Sequence, residues 1–515
     1  MTPAMRRTLP LAAASLVLIA LATPPVRGAD SAGLTILHSN DTHGRLLPFR
    51  YPATAAAAQG LETLPTGVEV GGIARRATLV RRIREEQAAR GIPVWLVDAG
   101  DFTDGTAFTL EYGGRAEIEA MGALGYTLGT LGNHELNRPL VKLQELLGLA
   151  SYPLLCANVS VRETSRPLTT PSLVRQAGAL RIGVFGLMTR DAADYPAARD
   201  GLAVEDEIAA AQRVARELRA QADIVVAISH AGRRMDERIG AAVPEIDVLV
   251  GGHSHSRLPS GELAWRGEEL SVDDVGGTVI VQAHQWGGEL GRLDLLFARK
   301  SDGRWRVTRY RASLMPVTAD IPEDPAVAAV VERFWRPIAP RYGEVIGQAQ
   351  ADFASLGSDQ AEYNLVADAM RAALGTRVHL ENQGGVRAPL VKGPVTLADL
   401  VEMDPFDNTL VTFGVKGRDL RRILGQYAPA VSGLRYRLEG DRLAEATVGG
   451  RPLASGRTYL ASTNSYLARK IAAAYPDLHM RDTGRSRRET LVAYVRARKT
   501  IHPAYDGRRV VLDAP

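Results

Sequence analysis

The sequence predicts an α/β protein of two domains, and three observations lead to this prediction. Apolar runs typical of β-strands alternate with stretches of helical spacing over residues 34–297, as in sheets built from strand–loop–helix units. The chain has 515 residues, whereas a single hydrophobic core stops growing at about 250–300 residues. A proline-rich stretch at 316–324, followed by a helical stretch at 326–337, separates the two parts.

The N-terminus has the pattern of a secretory signal peptide. Arg6 and Arg7 precede an apolar run at 11–22 that is too short to span a bilayer comfortably, and small residues near Ala29 offer a cleavage site. The arginine pair is also loosely similar to a twin-arginine signal. We therefore expect a periplasmic or secreted protein with no stable membrane anchor after signal removal; an uncleaved anchor is the alternative.

The predicted domain boundaries follow from these features. Residues 1–29 are the signal peptide, 30–315 the first domain, 316–342 a linker helix and 343–515 the second domain.

The composition excludes several classes of function. The formal net charge of +4 includes Arg6, Arg7 and Arg27, and removing these leaves 59 basic against 58 acidic side chains. A nearly neutral chain is not expected to bind nucleic-acid polymers or membrane surfaces. Cys156 is the only cysteine, so no disulfide can form within the chain, and its apolar surroundings predict a small buried side chain.

Polar residues typical of metal ligands follow several predicted strands. Asp41 and His43 follow the strand at 34–38, Asp101 the strand at 94–98, Asn133 the strand at 126–131, His230 the strand at 223–229, and His253 and His255 the strand at 246–250. Further strands at 279–283 and 291–297 are expected to close the sheet. Because open α/β sheets build their sites at the carboxyl ends of strands, we expect these side chains to meet at one sheet edge.

The donor set predicts two divalent metal ions. It contains seven nitrogen or oxygen donors and no thiolate, which fits a pair of ions better than one structural zinc. Asp101 is the expected bridging carboxylate, and alternate residues of His253-Ser254-His255 can serve neighbouring ions. The alternative is that the four histidines are separate core or surface groups. His134, next to Asn133, is the expected proton donor to the substrate.

The combined motifs resemble the 5′-nucleotidase branch of the calcineurin-like metallophosphoesterases. The resemblance rests on HSNDTHG, DAGDFTDGT, LGNHELN, SHAG and GGHSHS, in the order found in that family. It implies an N-terminal metallophosphoesterase β-sandwich flanked by helices and an α+β C-terminal substrate domain. It also implies zinc or manganese as cofactor and hydrolysis of nucleotide phosphomonoesters by a metal-activated hydroxide.

The resemblance extends to the substrate-binding residues of the second domain. It assigns Asn382 and Arg387 to polar groups of the nucleotide and Phe406 to the base, with Tyr466 as a further stacking ring. The implied partner is a small nucleotide, and no protein partner is implied.

Three departures from the family pattern keep other functions open. Asn137 stands where the family usually has an aspartate, so we expect it to orient His134 without contributing charge. An arginine expected before the helix at 363–370 is absent, and the usual glycine-rich loop after Tyr466 is missing. The alternatives are a 2′,3′-cyclic-nucleotide phosphodiesterase/3′-nucleotidase, which shares this Asn, a thiosulfohydrolase of the sulfur-oxidation type, and a non-catalytic nucleotide-binding protein.

Overall fold

The structure is a computed structural model that describes residues 30–53, 66–265 and 275–512. The predicted signal peptide at 1–29 lies outside these residues. Within them, no helix is both long and apolar enough to cross a membrane.

Two six-stranded sheets form the N-terminal half. In sheet order, the first sheet contains Trp305–Pro316, Glu289–Arg299, Ser31–Ser39, Val94–Asp98, Leu128–Thr130 and Leu154–Leu155. The second sheet contains Glu262–Trp265, Gly277–Val281, Val248–Gly251, Ile224–His230, Leu180–Met188 and Ser172–Ala177. The sequence-predicted strands all recur within three residues of their predicted bounds.

The expectation of a single sheet edge was wrong, because the strands that lead to His230, His253 and His255 belong to the second sheet. Side chains of both sheets, such as Ile36 and Val97 from the first and Ile228 and Val250 from the second, belong to one buried apolar cluster. Apolar periodicity predicts a buried strand but not the sheet to which it belongs. The two sheets therefore pack face to face, which confirms the expected β-sandwich.

Helices cover the outer faces of the sandwich. They span Ile73–Ala88, Ala107–Tyr112, Arg115–Leu124, Leu140–Leu147, Pro196–Gly201, Glu207–Arg219 and Arg233–Ala242. Short 3-10 turns occur at His134–Leu136 and Arg190–Asp194, and two-stranded ribbons pair Pro48–Arg50 with Glu69–Gly71 and Val159–Val161 with Leu202–Val204.

A long helix, Pro325–Tyr342, connects the two halves. Asp324 caps it by accepting hydrogen bonds from the backbone N–H groups of Ala326 and Val327. Its apolar side chains Val327 and Val331 join the buried cluster of the N-terminal half. The connecting helix is therefore packed onto the sandwich rather than suspended between domains.

The C-terminal half is α+β, as expected. Its five-stranded sheet contains Ala430–Ser432, Val378–Glu381, Thr458–Asn464, Thr409–Lys416 and Met480–Ser486. A four-stranded sheet contains Arg451–Pro452, Arg442–Val448, Leu434–Glu439 and Arg509–Leu512; a three-stranded sheet contains Gly393–Thr396, Val345–Ala349 and Thr500–Ile501, and Ser355–Leu356 pairs with Asp359–Gln360. The helices are Ala361–Leu374, Leu397–Met403, Gly417–Tyr427, Ser465–Ala474 and Arg487–Arg498.

The two halves meet beside the carboxyl ends of the sandwich strands. Arg45, from the N-terminal half, forms an ion pair of 2.6 Å with Glu402 of the C-terminal half. The Arg45 guanidinium also lies 4.2 Å from the ring centroid of Trp286. Both the ion pair and the aromatic contact hold Arg45 at this junction.

Candidate active site

Both sheets present their carboxyl ends to the same region. Asp41, His43, Asp101 and Asn133 follow strands of the first sheet, whereas His230 ends a strand of the second sheet and His253 and His255 follow its neighbour. The strands Ile224–His230 and Val248–Gly251 are parallel neighbours, so their ends lie side by side. The site thus forms where the two layers of the sandwich meet.

The carboxylates and imidazoles converge into three overlapping groups. These are Asp41 with His43 and His255, His43 with Asp101 and His134, and Asp101 with His230 and His253, and the ligand atoms within each group lie within 4.8 Å of one another. Asp101 Oδ2 lies 3.0 Å from His230 Nε2 and 4.0 Å from His43 Nε2. Asp101 therefore belongs to two neighbouring groups, as a carboxylate shared by two cations would.

The tautomers of two histidines fit metal binding. His230 Nδ1 lies 2.6 Å from the carbonyl oxygen of Ala99, and His43 Nδ1 lies 3.0 Å from that of Asp104. Because a carbonyl can only accept, each Nδ1 carries a proton, and Nε2 is the ring nitrogen that faces the acidic residues and can bind a metal ion once it is deprotonated.

Asn133 offers a further acceptor, its side-chain amide oxygen. Its Nδ2 donates to the Tyr195 hydroxyl at 2.7 Å, while its buried Oδ1 has no hydrogen-bond partner. A buried acceptor without a donor is costly unless a ligand satisfies it. The amide oxygen and the imidazole nitrogens therefore fit a divalent cation.

The surrounding residues hold the carboxylates in place. Asn40 Nδ2 donates to Asp41 at 2.6 Å, and the buried Glu135 accepts from the backbone N–H groups of Gly132, Asp101 and Thr103 at 2.7, 3.0 and 3.0 Å. A Cβ on Gly132 would lie 2.1 Å from Asp101 Oδ1, so only glycine permits this approach. Glu135 thereby fixes the loop that carries Asp101.

The backbone at the site is unusual. Five of the seven predicted ligands have positive φ angles between 47° and 74°: Asp41, His43, Asp101, His253 and His255. Non-glycine residues rarely adopt this left-handed conformation, and it occurs most often at functional sites.

Burial and neighbouring charges shift the ionisation of these groups. Burial would lower the pKa of His230, but the Asp101 and Asp41 carboxylates outweigh it and raise the pKa to about 10. Burial, with the charge of His230, lowers the pKa of His253 to about 4. Burial and the Asp101 carboxylate raise the pKa of Glu135 to about 8.

His134 lies between the cluster and the C-terminal half. Its ring centroid is 5.0 Å from that of His43 and 5.9 Å from that of Phe406, whose ring is nearly parallel to it. Its Nδ1 lies 3.0 Å from Asn137 Nδ2 and 3.5 Å from Asp104 Oδ2. Asn137 thus contacts His134, and Asp104, from another loop, adds a carboxylate that the sequence did not indicate.

The four predicted substrate residues line one cleft with His134. This cleft has a volume of about 690 Å³, and its walls include Asn382, Arg387, Phe406 and Tyr466. Arg387 Nη2 lies 3.2 Å from His43 Nε2, so the arginine contacts one of the candidate metal ligands. Tyr466 lines the same cleft and is exposed, with Lys470 Nζ 4.8 Å from its ring centroid.

A buried ion cluster supports the loops of this cleft. Arg487 is fully buried, contacts the carboxylates of Glu381 and Asp404, and donates to the carbonyl oxygen of Gly385 at 3.1 Å. Glu381 and Gly385 flank Asn382, and Asp404 precedes Phe406 by two residues. One arginine therefore connects two loops that line the cleft.

Comparison with known families identifies the chain. Residues 34–257 match the model of the calcineurin-like phosphoesterases, and residues 345–473 match that of the 5′-nucleotidase C-terminal domain. The chain belongs to the 5′-nucleotidase family. The two matches lie on either side of the connecting helix, although the predicted domain boundaries themselves stay predictions.

Known members of this family resemble the chain over most of its length. A 5′-nucleotidase from Vibrio cholerae is 26% identical over 84% of each chain. The crystal structure of a 5′-nucleotidase precursor from Thermus thermophilus has a TM-score of 0.83 at 28% identity and covers 94% of this chain and 100% of its own. The sulfate thiohydrolase SoxB of the same genus, at 20% identity, covers 93% and 96% with a TM-score of 0.78, which shows the shared fold alone. The protein is thus a metal-dependent phosphoric ester hydrolase of the 5′-nucleotidase type.

Four further residues at the site were not predicted from the sequence. Asp104 follows Asp101 in a D-x-x-D pattern, and Glu135 is the last residue of the GNHE motif, so both carried a weak sequence signal. Tyr195 follows a 3-10 turn and Lys470 lies within the helix Ser465–Ala474, neither of which forms a recognisable motif. The helix Ser465–Ala474 occupies the sequence position at which the family usually has a glycine-rich loop.

Proposed function

We propose that the protein is an exported phosphohydrolase with two divalent metal ions, which cleaves the phosphomonoester of a 5′-nucleotide. The observation that supports this most is the position of Asp101, within reach of His43 on one side and His230 on the other, beside a cleft that contains Arg387. This arrangement suits a shared ligand next to a phosphate-binding side chain.

The two metal ions are assigned to residues by similarity to the family. One set is Asp41, His43, Asp101 and His255, and the other is Asp101, Asn133, His230 and His253. Zinc or manganese fits these nitrogen and oxygen donors. Bound cations would supply a hydroxide near neutral pH and polarise the phosphoryl group.

The side chains of this chain then bind and orient the substrate. Arg387 presents its planar guanidinium to the phosphate oxygens. His134 donates a hydrogen bond to the leaving oxygen as the ester P–O bond breaks, a contribution typically of about 10²–10⁴ in rate. Phe406 and Tyr466 provide rings against which a base can stack, and Asn382 is a polar contact in the same cleft.

A second candidate is a 2′,3′-cyclic-nucleotide phosphodiesterase/3′-nucleotidase. Asn137 favours it, as does the helix Ser465–Ala474 in place of the glycine-rich loop. This alternative retains the metal site and changes only how the sugar and base are held.

A phosphate-release screen separates these functions. The purified protein, freed of metal and reloaded with Zn²⁺ or Mn²⁺, is offered 5′-, 3′- and 2′,3′-cyclic nucleotides. Fastest release from 5′-nucleotides supports the proposal, and fastest turnover of cyclic or 3′-nucleotides supports the second candidate. Metal and nucleotide binding without turnover indicates a non-catalytic protein, and sulfate release from a cysteine S-thiosulfonate peptide indicates a thiosulfohydrolase.

Export is a separate part of the proposal and rests on residues 1–29. N-terminal sequencing of the protein recovered from a periplasmic fraction tests it. A mature N-terminus near residue 30 is expected, whereas an intact Met1 in the cytoplasm would contradict export.

A further inference from the structure

The amide nitrogen of Asn137 contacts two groups at once. Its Nδ2 donates to Asp104 Oδ2 at 2.6 Å and lies 3.0 Å from His134 Nδ1. The three side chains form a short chain of hydrogen bonds that ends at the cleft, because His134 lines its wall. Asp104 thus reaches His134 mainly through Asn137.

The chemistry of these groups determines where the protons lie. An ionised carboxylate can only accept hydrogen bonds, so Asp104 requires that Asn137 present its NH₂ and not its carbonyl oxygen. The same NH₂ then faces His134 Nδ1, which must accept. The proton of the neutral ring consequently sits on Nε2, at the opposite side of the imidazole.

Asp104 is itself held firmly. Its backbone N–H donates to Thr109 Oγ1 at 3.0 Å, and its Oδ1 lies 3.5 Å from Arg138 Nη2. Arg138 is in turn anchored by donating from Nε to the carbonyl oxygen of Glu135 at 3.0 Å. The side chain of Asp104 is only 15% exposed, so it is not a solvated surface charge.

We propose that Asp104 is a positioning residue for the hydrolysis: acting through Asn137, it fixes the His134 tautomer whose Nε2–H donates to the phosphoester. This role rests on the proposed function. It also explains how the chain manages without the family's usual aspartate at position 137, since a carboxylate three residues after Asp101 orients the amide instead.

Kinetics of three variants test the role. Asp104→Asn keeps the size of the side chain but lets the two amides pair in either orientation, so kcat is expected to fall about tenfold or more with little change in KM. In a His134→Ala background the same substitution should cost nothing further, because both changes remove one interaction. Additive losses, or an unchanged kcat in Asp104→Asn, would overturn the proposal.

A spectroscopic measurement tests the tautomer without relying on turnover. Long-range ¹H–¹⁵N spectra of the Zn²⁺-loaded protein, with the His134 signals assigned by their loss in His134→Ala, should show protonated Nε2 and bare Nδ1 when the ring is neutral. Asp104→Asn should mix the two tautomers. A ring protonated at Nδ1 in the wild-type protein would contradict the proposal.

The controls separate this inference from the proposed function. Asp223→Asn is the matched variant, since Asp223 is 23% exposed, pairs with Arg181, and precedes the strand that ends at His230. It should change neither kcat nor the His134 signals. If the wild-type protein hydrolyses no nucleotide, the proposed function fails, and the tautomer measurement alone decides whether Asp104 orients His134.

Discussion

Arg387 Nη2 lies 3.2 Å from His43 Nε2, so a side chain of the C-terminal half reaches the ligand cluster of the N-terminal half. His43 Nδ1 donates to backbone carbonyls, and its Nε2 is therefore the acceptor of this contact. The proposed substrate-binding and metal-binding groups are thus adjacent atoms from different halves of the chain.

Replacing Arg387 should impair phosphate recognition. Arg387→Ala is expected to lower kcat/KM about 10- to 100-fold, since a hydrogen bond to a charged group contributes about 1.5–3 kcal/mol. Arg387→Lys should recover only part of this loss, because an ammonium cannot bind two oxygens in a fixed plane. Steady-state kinetics measures both, with the exposed Arg481→Ala as control. Wild-type kinetics in Arg387→Ala would show that the phosphate lies elsewhere.

Removing the charge of Asp101 should release metal as well as activity. Asp101→Asn weakens ligation on both sides, because Asp101 belongs to two of the three ligand groups. Metal analysis after dialysis should find fewer ions per chain than in wild type, and nucleotide turnover should fall to background. Asp223→Asn should retain both. Full metal content together with full turnover would exclude a shared ligand.

Tyr195 should matter through Asn133 and not through the substrate. Its hydroxyl accepts from Asn133 Nδ2 and so directs Oδ1 towards the cluster. Tyr195→Phe is expected to weaken metal affinity about 10-fold, the lower end of the effect of outer-shell partners. Chelator competition measures this. Tyr112→Phe is the control, because Tyr112 donates a 2.8 Å hydrogen bond to the Phe334 carbonyl oxygen and belongs to none of the three ligand groups, so metal affinity should not change.

The buried Asp98 should make stability depend on pH. Burial raises its pKa to about 7, although Ser39 Oγ and the Gly100 N–H donate to it at 2.6 and 3.0 Å. Between about pH 4 and pH 7, the Asp98 carboxyl therefore takes up a proton when the chain folds. The contribution of Asp98 to the free energy of unfolding is therefore largest below about pH 4. It decreases as the pH rises from about 4 through 7, by a total on the order of 4 kcal/mol.

Asp98→Asn removes that titration. Relative to wild type, the variant should become more stable as the pH increases, with the largest difference above pH 7. Denaturant unfolding of the metal-free proteins at pH 5 and pH 8 measures it. Parallel pH dependence in the two proteins would mean that Asp98 stays ionised in the folded state.

Arg487 should be essential to the stability of the C-terminal half. Arg487→Leu leaves Glu381 and Asp404 buried without their counterion, which typically costs about 3–5 kcal/mol. Denaturant unfolding should show this loss, while the exposed Arg481→Leu should be nearly neutral. KM should also rise, since Asn382 and Phe406 lose their common support. Unchanged stability would mean that water compensates the two carboxylates.

The candidate metal ligands could be proposed from the sequence, because the ends of strands can be recognised from local apolar runs. The strand Val94–Asp98 has the bounds that its apolar run predicts, and Asp101 follows from it. The assignment of strands to two sheets could not be predicted, because it depends on packing between distant apolar runs. The hydrogen bonds on which the proposed roles of Asp104 and Tyr195 rest join residues 33 and 62 positions apart, which no spacing rule reveals.

The left-handed backbone at five candidate ligands carries a consequence for engineering. Each such residue costs on the order of 1 kcal/mol or more relative to an unstrained conformation, and glycine relieves that cost. Because the His255 side chain is 25% exposed, a glycine substitution there is a candidate for raising the melting temperature of the metal-free protein. A selection for thermostability alone would accordingly favour replacement of the candidate metal ligands, and with them loss of the proposed hydrolysis.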